Sequence, residues 1–527
     1  MRTRLTLLAA ALLACGSAYA KPLTVCTEAS PEGFDVVRYN SLTTTNASAD
    51  LIFNRLVDYD ARAGKVVPSL ASSWKVADDG LSVTFTLRPN VGFHKTAWFK
   101  PSRPLNADDV VFSFQRMLNP DHPWYKSAPT GYPHAKSFQL DKLIKAVVKV
   151  DARTVRFELN QPDATLVPLL SMGFASIYSA EYAEQLAKGG NFEQLNSQPV
   201  GSGPFVLQSF VKDSVVRYAA NPAYFGGKPA AERLSLAITP DSAVRLQKIK
   251  AGECQIALGP KPQDVAEVAG DARVKVLSTP MFSTAFLALN SQHKPFDDKR
   301  VRQAVNLAFD KTSYLKVVFA GSATAAVNPF PPSTFGYSKA IKDYPQDLAR
   351  ARKLLADAGY GKGFDTTIWV RPTGSTLNPN PKAGAELLQA DLAKVGIKAE
   401  IKVLEWGELI KRAKAGEHDL LFMGWAGDNG DADNFLSPQF SCAAVQSGTN
   451  FARYCDPTLD KLITDARRIA KPQQRAANYA RAQQIIKEQA LWLPLAHPVA
   501  SALTSANVSG FQVSPFGRID LARVQVK

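Results

Sequence analysis

After its first twenty residues the 527-residue sequence contains no charge-free apolar run of the roughly 18 residues that span a bilayer, which excludes a multispanning membrane protein. It also lacks any run of five or more consecutive Lys or Arg, any low-complexity stretch and any repeat of fixed period. Gly and Pro, 32 and 34 residues, are far below collagen-like or disordered levels. Only six histidines occur (His94, His122, His134, His293, His418, His497), none in His-Glu-x-x-His or paired spacing, so a zinc hydrolase is not indicated. Ser72-Ser73-Trp74-Lys75 fits Ser-x-x-Lys but lacks the companion Ser-Asp-Asn and Lys-Thr-Gly elements. Gly201-Ser202-Gly203-Pro204 has neither the third glycine nor the Lys of a phosphate-binding loop. No nucleophile with its base can be named, and the chain reads as a non-enzyme that needs no cofactor or metal.

What is present begins with an export signal. Arg2 and Arg4 precede the apolar stretch Leu5–Ala14 and a small-residue site, Ala18-Tyr19-Ala20, which places cleavage after Ala20. Leu12-Leu13-Ala14-Cys15 also resembles a lipobox that would keep an acylated Cys15 as an anchor. The formal charge of +15 becomes +13 once Arg2 and Arg4 are removed, and the excess is dispersed. Export with dispersed charge argues against a nucleic-acid partner. The mature chain keeps Cys26, Cys254, Cys442 and Cys455, an even count that favours disulfides in an exported protein. Of the three possible pairings, the local clamp Cys442–Cys455 is preferred, leaving Cys26 to join Cys254 and implying a lobe built from discontinuous segments.

At this length several structural units are expected. Leu81–Leu87 alternates at period two after an Asp-Asp-Gly turn, predicting half of a hairpin, and Thr154–Leu159 behaves alike. Helical period covers Asp347–Ala358, closed by Gly359, and Lys382–Val395. Ile397–Val403 alternates as a strand, Glu405–Ala415 is a helix, and Leu420–Met423 is an apolar strand. Alternating helix and strand predicts an α/β lobe with ligands at the strand carboxyl ends.

The loop after that last strand, Gly424-Trp425-Ala426-Gly427-Asp428-Asn429-Gly430-Asp431-Ala432-Asp433-Asn434, joins three carboxylates to three glycines and a tryptophan. Glycines permit close backbone approach, Trp425 offers an apolar wall, and a carboxylate can meet a ligand ammonium. A calcium loop fits poorly: starting at Asp428 puts Ala432 at the fifth position, and starting at Asp431 leaves no Glu at the end. A solvated acidic turn is the plainer alternative.

Ala71–Trp74, Asp79-Gly80, Phe85–Arg88, Phe93-His94 and Leu105–Ser113 together resemble the signature region of the oligopeptide-type extracellular solute-binding proteins, receptors of ABC importers for peptides, nickel and related cargo. The likeness continues through Pro199–Phe205, Asn221–Phe225 and Arg300–Asn306. Glu28–Phe34, the four cysteines, Glu405–Glu408 and the Gly424–Asn434 stretch are most similar to the dipeptide-binding members. This resemblance implies the disulfides Cys26–Cys254 and Cys442–Cys455. It implies a two-lobed α/β fold with an inserted domain: a first lobe of 21–53, 202–280 and 499–527, an insertion of 54–201, and a second lobe of 281–498. Trp74, Phe85 and Asp109 of the signature are expected to hold the insertion together and to touch no ligand.

By the same resemblance the protein is a monomeric periplasmic receptor that closes on short peptides and delivers them to inner-membrane permease subunits served by a separate ATPase. Asp428 takes the role of the carboxylate that meets the α-ammonium. Gly424, Trp425 and Gly427 line the site, Ala29 and Ser30 approach from the first lobe, and Leu377 borders it. One departure stands out. Ser375 occupies the position where dipeptide receptors carry the Arg that holds the ligand carboxylate, before Asn378-Pro379-Asn380. Ser cannot supply that charge, and Arg371 is the nearby cation that can. A same-fold receptor for haem, glutathione, an opine or a metal chelate is the alternative that this departure raises.

Overall fold

The computed structural model describes residues 22–39, 41–60, 63–128 and 131–527. The export signal, its cleavage site and Cys15 lie outside the described residues. Among the described residues no helix is long and apolar enough to cross a membrane.

Two sheet halves meet along one long strand. Trp492–Ser505 is 14 residues long; its first part pairs with Ser283–Leu289 and its last part with Val274–Pro280 and Ile256–Leu258. On one side lie Leu23–Thr27, parallel to both Ile256–Leu258 and Arg233–Ile238, and then the antiparallel strands Val215–Ala220 and Phe205–Val211. On the other side, Leu420–Ala426 runs antiparallel to Ser283–Leu289 and parallel to Phe364–Val370, which is itself parallel to Ile397–Val403. The chain thus crosses between the lobes twice, between Pro280 and Ser283 and again between Ala496 and Val499.

The apolar cores follow this division. Two clusters draw their buried residues from Phe282 to Ala496, whereas another gathers buried residues from Leu23 to Ile256 and from Ala502 to Val524. Segment 54–201 shares that third core, and its own four-stranded antiparallel sheet runs Ala71–Val76, Ser82–Leu87, Thr154–Leu159, Ile144–Asp151. The signature residues act there as scaffold. Phe85 and Phe114 pack edge-on against Phe157, and buried Asp109 holds Arg103 through both carboxylate oxygens (2.7 and 3.0 Å) and accepts from the Asn106 and Ala180 N–H groups. Gly201 and Gly203 are required where the chain passes hard against the Leu51 and Ile52 carbonyls; the Gly203 N–H donates to the Ile52 carbonyl at 2.8 Å.

Local sequence explains the second-lobe elements. Helix Leu348–Asp357 starts where the Asp347 carboxylate accepts the Arg350 N–H (2.9 Å) and stops before Gly359, whose φ of +90° favours glycine. Strands Thr154–Leu159 and Ile397–Val403 have the expected bounds. The strand expected at Leu420–Met423 runs on to Ala426, because Ser283–Leu289 continues to pair with it as far as Ser283 opposite Ala426. Gly424 and Trp425 are therefore strand residues, and the loop proper starts at Gly427.

The cysteine pairing is the expected one. Cys26, in the first strand, faces Cys254 with Cα atoms 5.9 Å apart, and Cys442 faces Cys455 at 4.7 Å.

Candidate functional site

Strand Leu420–Ala426 delivers its last residues to the crossing between the lobes. The Gly427 N–H donates to the Phe282 carbonyl at 2.7 Å, and a Cβ at Gly427 would stand 2.6 Å from the rings of Phe282 and Phe435, so the backbone fits this slot only as glycine. Gly424 is likewise covered by Leu377, 2.7 Å from where its Cβ would lie. Past the turn, helix Asp433–Phe440 begins.

Asn434 ties the turn together. Its side-chain oxygen accepts the Asp428 N–H (2.8 Å), and its carbonyl accepts the Trp425 indole N–H (2.7 Å). Trp425 and Asp428 are thereby held by one residue, a relation that the sequence offered without marking Asn434 out.

The three loop carboxylates part company here. Asp431 is buried and receives both arms of the Arg475 guanidinium at 2.8 and 3.0 Å, with Tyr479 beside it. Asp433 accepts the Ser437 hydroxyl (2.6 Å) and faces Arg467 at 3.6 Å; burial pushes its carboxyl up to about 6 against the pull of that guanidinium. Asp428 forms no ion pair among the described residues. Its side chain stays open to solvent on one side, but protein crowds round the rest, and this desolvation pushes the carboxyl up to about 6 despite the Asn434 amide. A carboxylate left so is ready for a cation from outside. No group of three or more His, Cys, Asp or Glu among the described residues could hold a metal ion.

The neighbouring loop follows strand Phe364–Val370. The Arg371 guanidinium stacks over the Trp406 ring (4.7 Å), donates to the Thr373 hydroxyl (3.2 Å) and meets no carboxylate among the described residues; its buried Nε has no partner. Ser375 closes a tight turn with Asn378: the two backbones exchange bonds of 2.9 and 3.0 Å, and the Ser375 hydroxyl accepts the Asn378 N–H at 3.2 Å. Its hydroxyl already serves its own loop.

Ala29 and Ser30 follow strand Leu23–Thr27 at the carboxyl end of the other lobe's parallel strands. Ser30 accepts the Asp213 N–H (2.7 Å), and Ala29 borders a cavity of about 10 Å³, room for no more than a single water. Among the described residues no hydrogen bond, ion pair or ring contact joins this pair to Asp428, Trp425 or Arg371. Leu377, Gly424, Trp425, Gly427 and Asp428 come together; Arg371 and Ser375 lie in the adjoining loop; Ala29 and Ser30 stand on the opposite lobe. Sequence reasoning missed Phe282, Phe435 and Tyr59, whose ring occupies the space over Gly430. These residues come from distant segments and carry no local pattern.

Residues 65–447 match the family described as bacterial extracellular solute-binding proteins, family 5 Middle. The chain belongs to that family. It is 64% identical over 523 residues to a probable di/tripeptide-binding protein 5 of Pseudomonas aeruginosa (strain UCBPP-PA14), covering 99% of each chain. Among solved structures, HbpA2 from Haemophilus parasuis superposes with a TM-score of 0.93 at 39% identity, covering 96% of this chain and 100% of that one. A dipeptide-binding protein from Pseudoalteromonas sp. SM9913 in complex with Met-Leu gives a TM-score of 0.76 at 35% identity, covering 96% and 100%. The family 5 fold is the two-lobed α/β architecture seen here, and its members are binding proteins and not enzymes.

Proposed function

We propose that this family 5 protein is the periplasmic receptor of an ABC importer for di- and tripeptides. The observation that carries the reading is the Asp428 carboxylate, held in place by Asn434 and, among the described residues, left without a cation at the carboxyl end of a parallel strand. A peptide α-ammonium supplies the missing charge, and that pair strengthens as water leaves the site. Gly424, Trp425, Gly427 and Leu377 form the wall beside it, and Ala29 and Ser30 close from the other lobe. Arg371, the nearby guanidinium that meets no carboxylate among the described residues, takes the ligand carboxylate in place of Ser375.

The two crossings between Pro280 and Ser283 and between Ala496 and Val499 are the hinge, and ligand contacts made by both lobes favour the closed form that permease subunits recognise. The lobes are 21–53, 202–280 and 499–527 against 281–498, with 54–201 inserted in the first and sharing its core. Met1–Ala20 directs export of a monomer, and a separate subunit hydrolyses ATP.

The names of close relatives support peptides over the non-peptide alternatives. Calorimetry with di- to pentapeptides, beside a thermal-shift screen of haem, glutathione, an opine and a metal chelate, tests the reading. Di- and tripeptides bind and raise the melting temperature, and the other four do not. A melting shift with one of those four and none with any peptide overturns it.

A further inference from the structure

Two side chains from segment 54–201 bear on the ligand loop, Tyr59 directly and Asp163 through Arg467. Tyr59, on strand Val57–Asp60, lays its ring over Gly430, where any Cβ would collide with it. The same ring packs edge-on to Phe516 (5.3 Å), which in turn packs on Phe282 (5.1 Å), the residue that holds Gly427. The Tyr59 hydroxyl donates to the Ser333 carbonyl at 3.5 Å, and two residues on, the Phe335 N–H donates to the Gly430 carbonyl at 3.0 Å.

The second contact lands three residues further along the loop, at Asp433. Buried Asp163 receives the Arg467 Nη2–H at 2.8 Å, while the Ala164 N–H donates to the Arg467 carbonyl at 2.6 Å. Arg467 turns its Nε toward Asp433, 3.6 Å away. Asp163 is itself fixed, because its other oxygen accepts the N–H and hydroxyl of Thr165 at 2.7 and 2.6 Å. Gly430 and Asp433 both follow Asp428 in the chain, opposite the near side that Phe282 holds through the Gly427 N–H, and Asn434, next after Asp433, is the residue that holds Asp428 and Trp425.

We infer that Tyr59, and Asp163 acting through Arg467, are positioning residues for the Asp428 carboxylate, so that segment 54–201 takes part in ligand recognition without touching ligand. A turn held only at Gly427 by Phe282 samples several directions, and fixing Gly430 and Asp433 on its far side as well leaves the carboxylate aimed before the peptide arrives. The inference rests on Asp428 as the ammonium anchor.

The test compares Ala-Phe with N-acetyl-Ala-Phe by calorimetry, because only the free peptide carries the ammonium. Wild type prefers the free peptide by at least about tenfold; Tyr59→Ala and Arg467→Met each cut that preference about threefold or more, and Tyr59→Phe, which keeps the ring, restores it. Gly430→Ala cuts the preference as well, and Tyr59→Ala with Gly430→Ala is no worse than Tyr59→Ala alone, since the ring that the new Cβ meets is gone. Full preference in both Tyr59→Ala and Arg467→Met overturns the inference while leaving Asp428 in its role. No preference in wild type overturns the Asp428 reading and this inference with it. Should Arg467→Met show no cooperative thermal transition, the two Tyr59 variants decide.

Discussion

The loop that carries Asp428 and the loop that carries Arg371 adjoin, yet they are built to opposite plans. Asp428 stands on a turn fixed by its own Asn434 and by Phe282, Tyr59 and the Arg475 that grips Asp431, three residues that reach in from different parts of the chain. The 371–380 loop is satisfied largely by itself: Ser375 bonds to Asn378, Arg371 to Thr373, and the guanidinium rests on a half-exposed Trp406. A rigid anchor for one end of a peptide and an adaptable one for the other suit ligands that share an ammonium and differ in where the carboxylate falls. On this account the loss of an Arg at position 375 relaxes peptide length without abandoning peptides.

The largest expected effect is at the rigid side. Asp428→Ala lowers affinity for a free dipeptide at least about tenfold, or about 1.4 kcal/mol, by calorimetry. Acid does the same more gradually. With its carboxyl pushed up to about 6, Asp428 is ionised above that pH and neutral below it. Affinity is therefore highest near pH 7: it falls as pH drops through 6, approaching a tenfold loss per unit, and falls again above about pH 8 as the peptide amine loses its proton, and Asp428→Asn flattens the acid limb. For the empty protein the sign reverses. Asp428 and Asp433 both have folded values above the unfolded carboxylate range, so the folded state takes up protons and gains stability as pH falls from about 7 toward 4. A profile measured with saturating peptide lacks the Asp428 share of that gain.

Effects on the adaptable side are smaller. Arg371→Ala weakens dipeptide binding about threefold, less than Asp428→Ala, because a partly exposed cation is worth less than a carboxylate that the surrounding protein desolvates. Unchanged affinity removes Arg371 from the site. Ser375→Ala stays within about twofold, because its hydroxyl carries no charge and its oxygen already accepts the Asn378 N–H of its own turn; a larger loss would break the contrast between the two loops.

Much of the frame was legible where one face of an element is buried. Ile397–Val403 alternates and its bounds are met; Asp347 and Gly359 mark a helix at both ends. The strand into the site ran three residues further than its apolar stretch, because the limit was set by its partner Ser283–Leu289 and not by its own composition. Asp428 could be singled out in the sequence, but not why it differs from Asp431 and Asp433. That difference lies in Arg475 and Arg467, which come from later helices and mark no motif. Ser375 read as a missing charge; only the fold shows its hydroxyl engaged with Asn378.

The most direct measurement is a thermodynamic cycle in which a dipeptide and its N-acetyl form are each titrated into wild type and Asp428→Ala. The account predicts that acetylation costs wild type at least about tenfold in affinity and costs Asp428→Ala almost nothing, since the ammonium has then already lost its partner. Equal losses on acetylation in both proteins, or none in either, would contradict it.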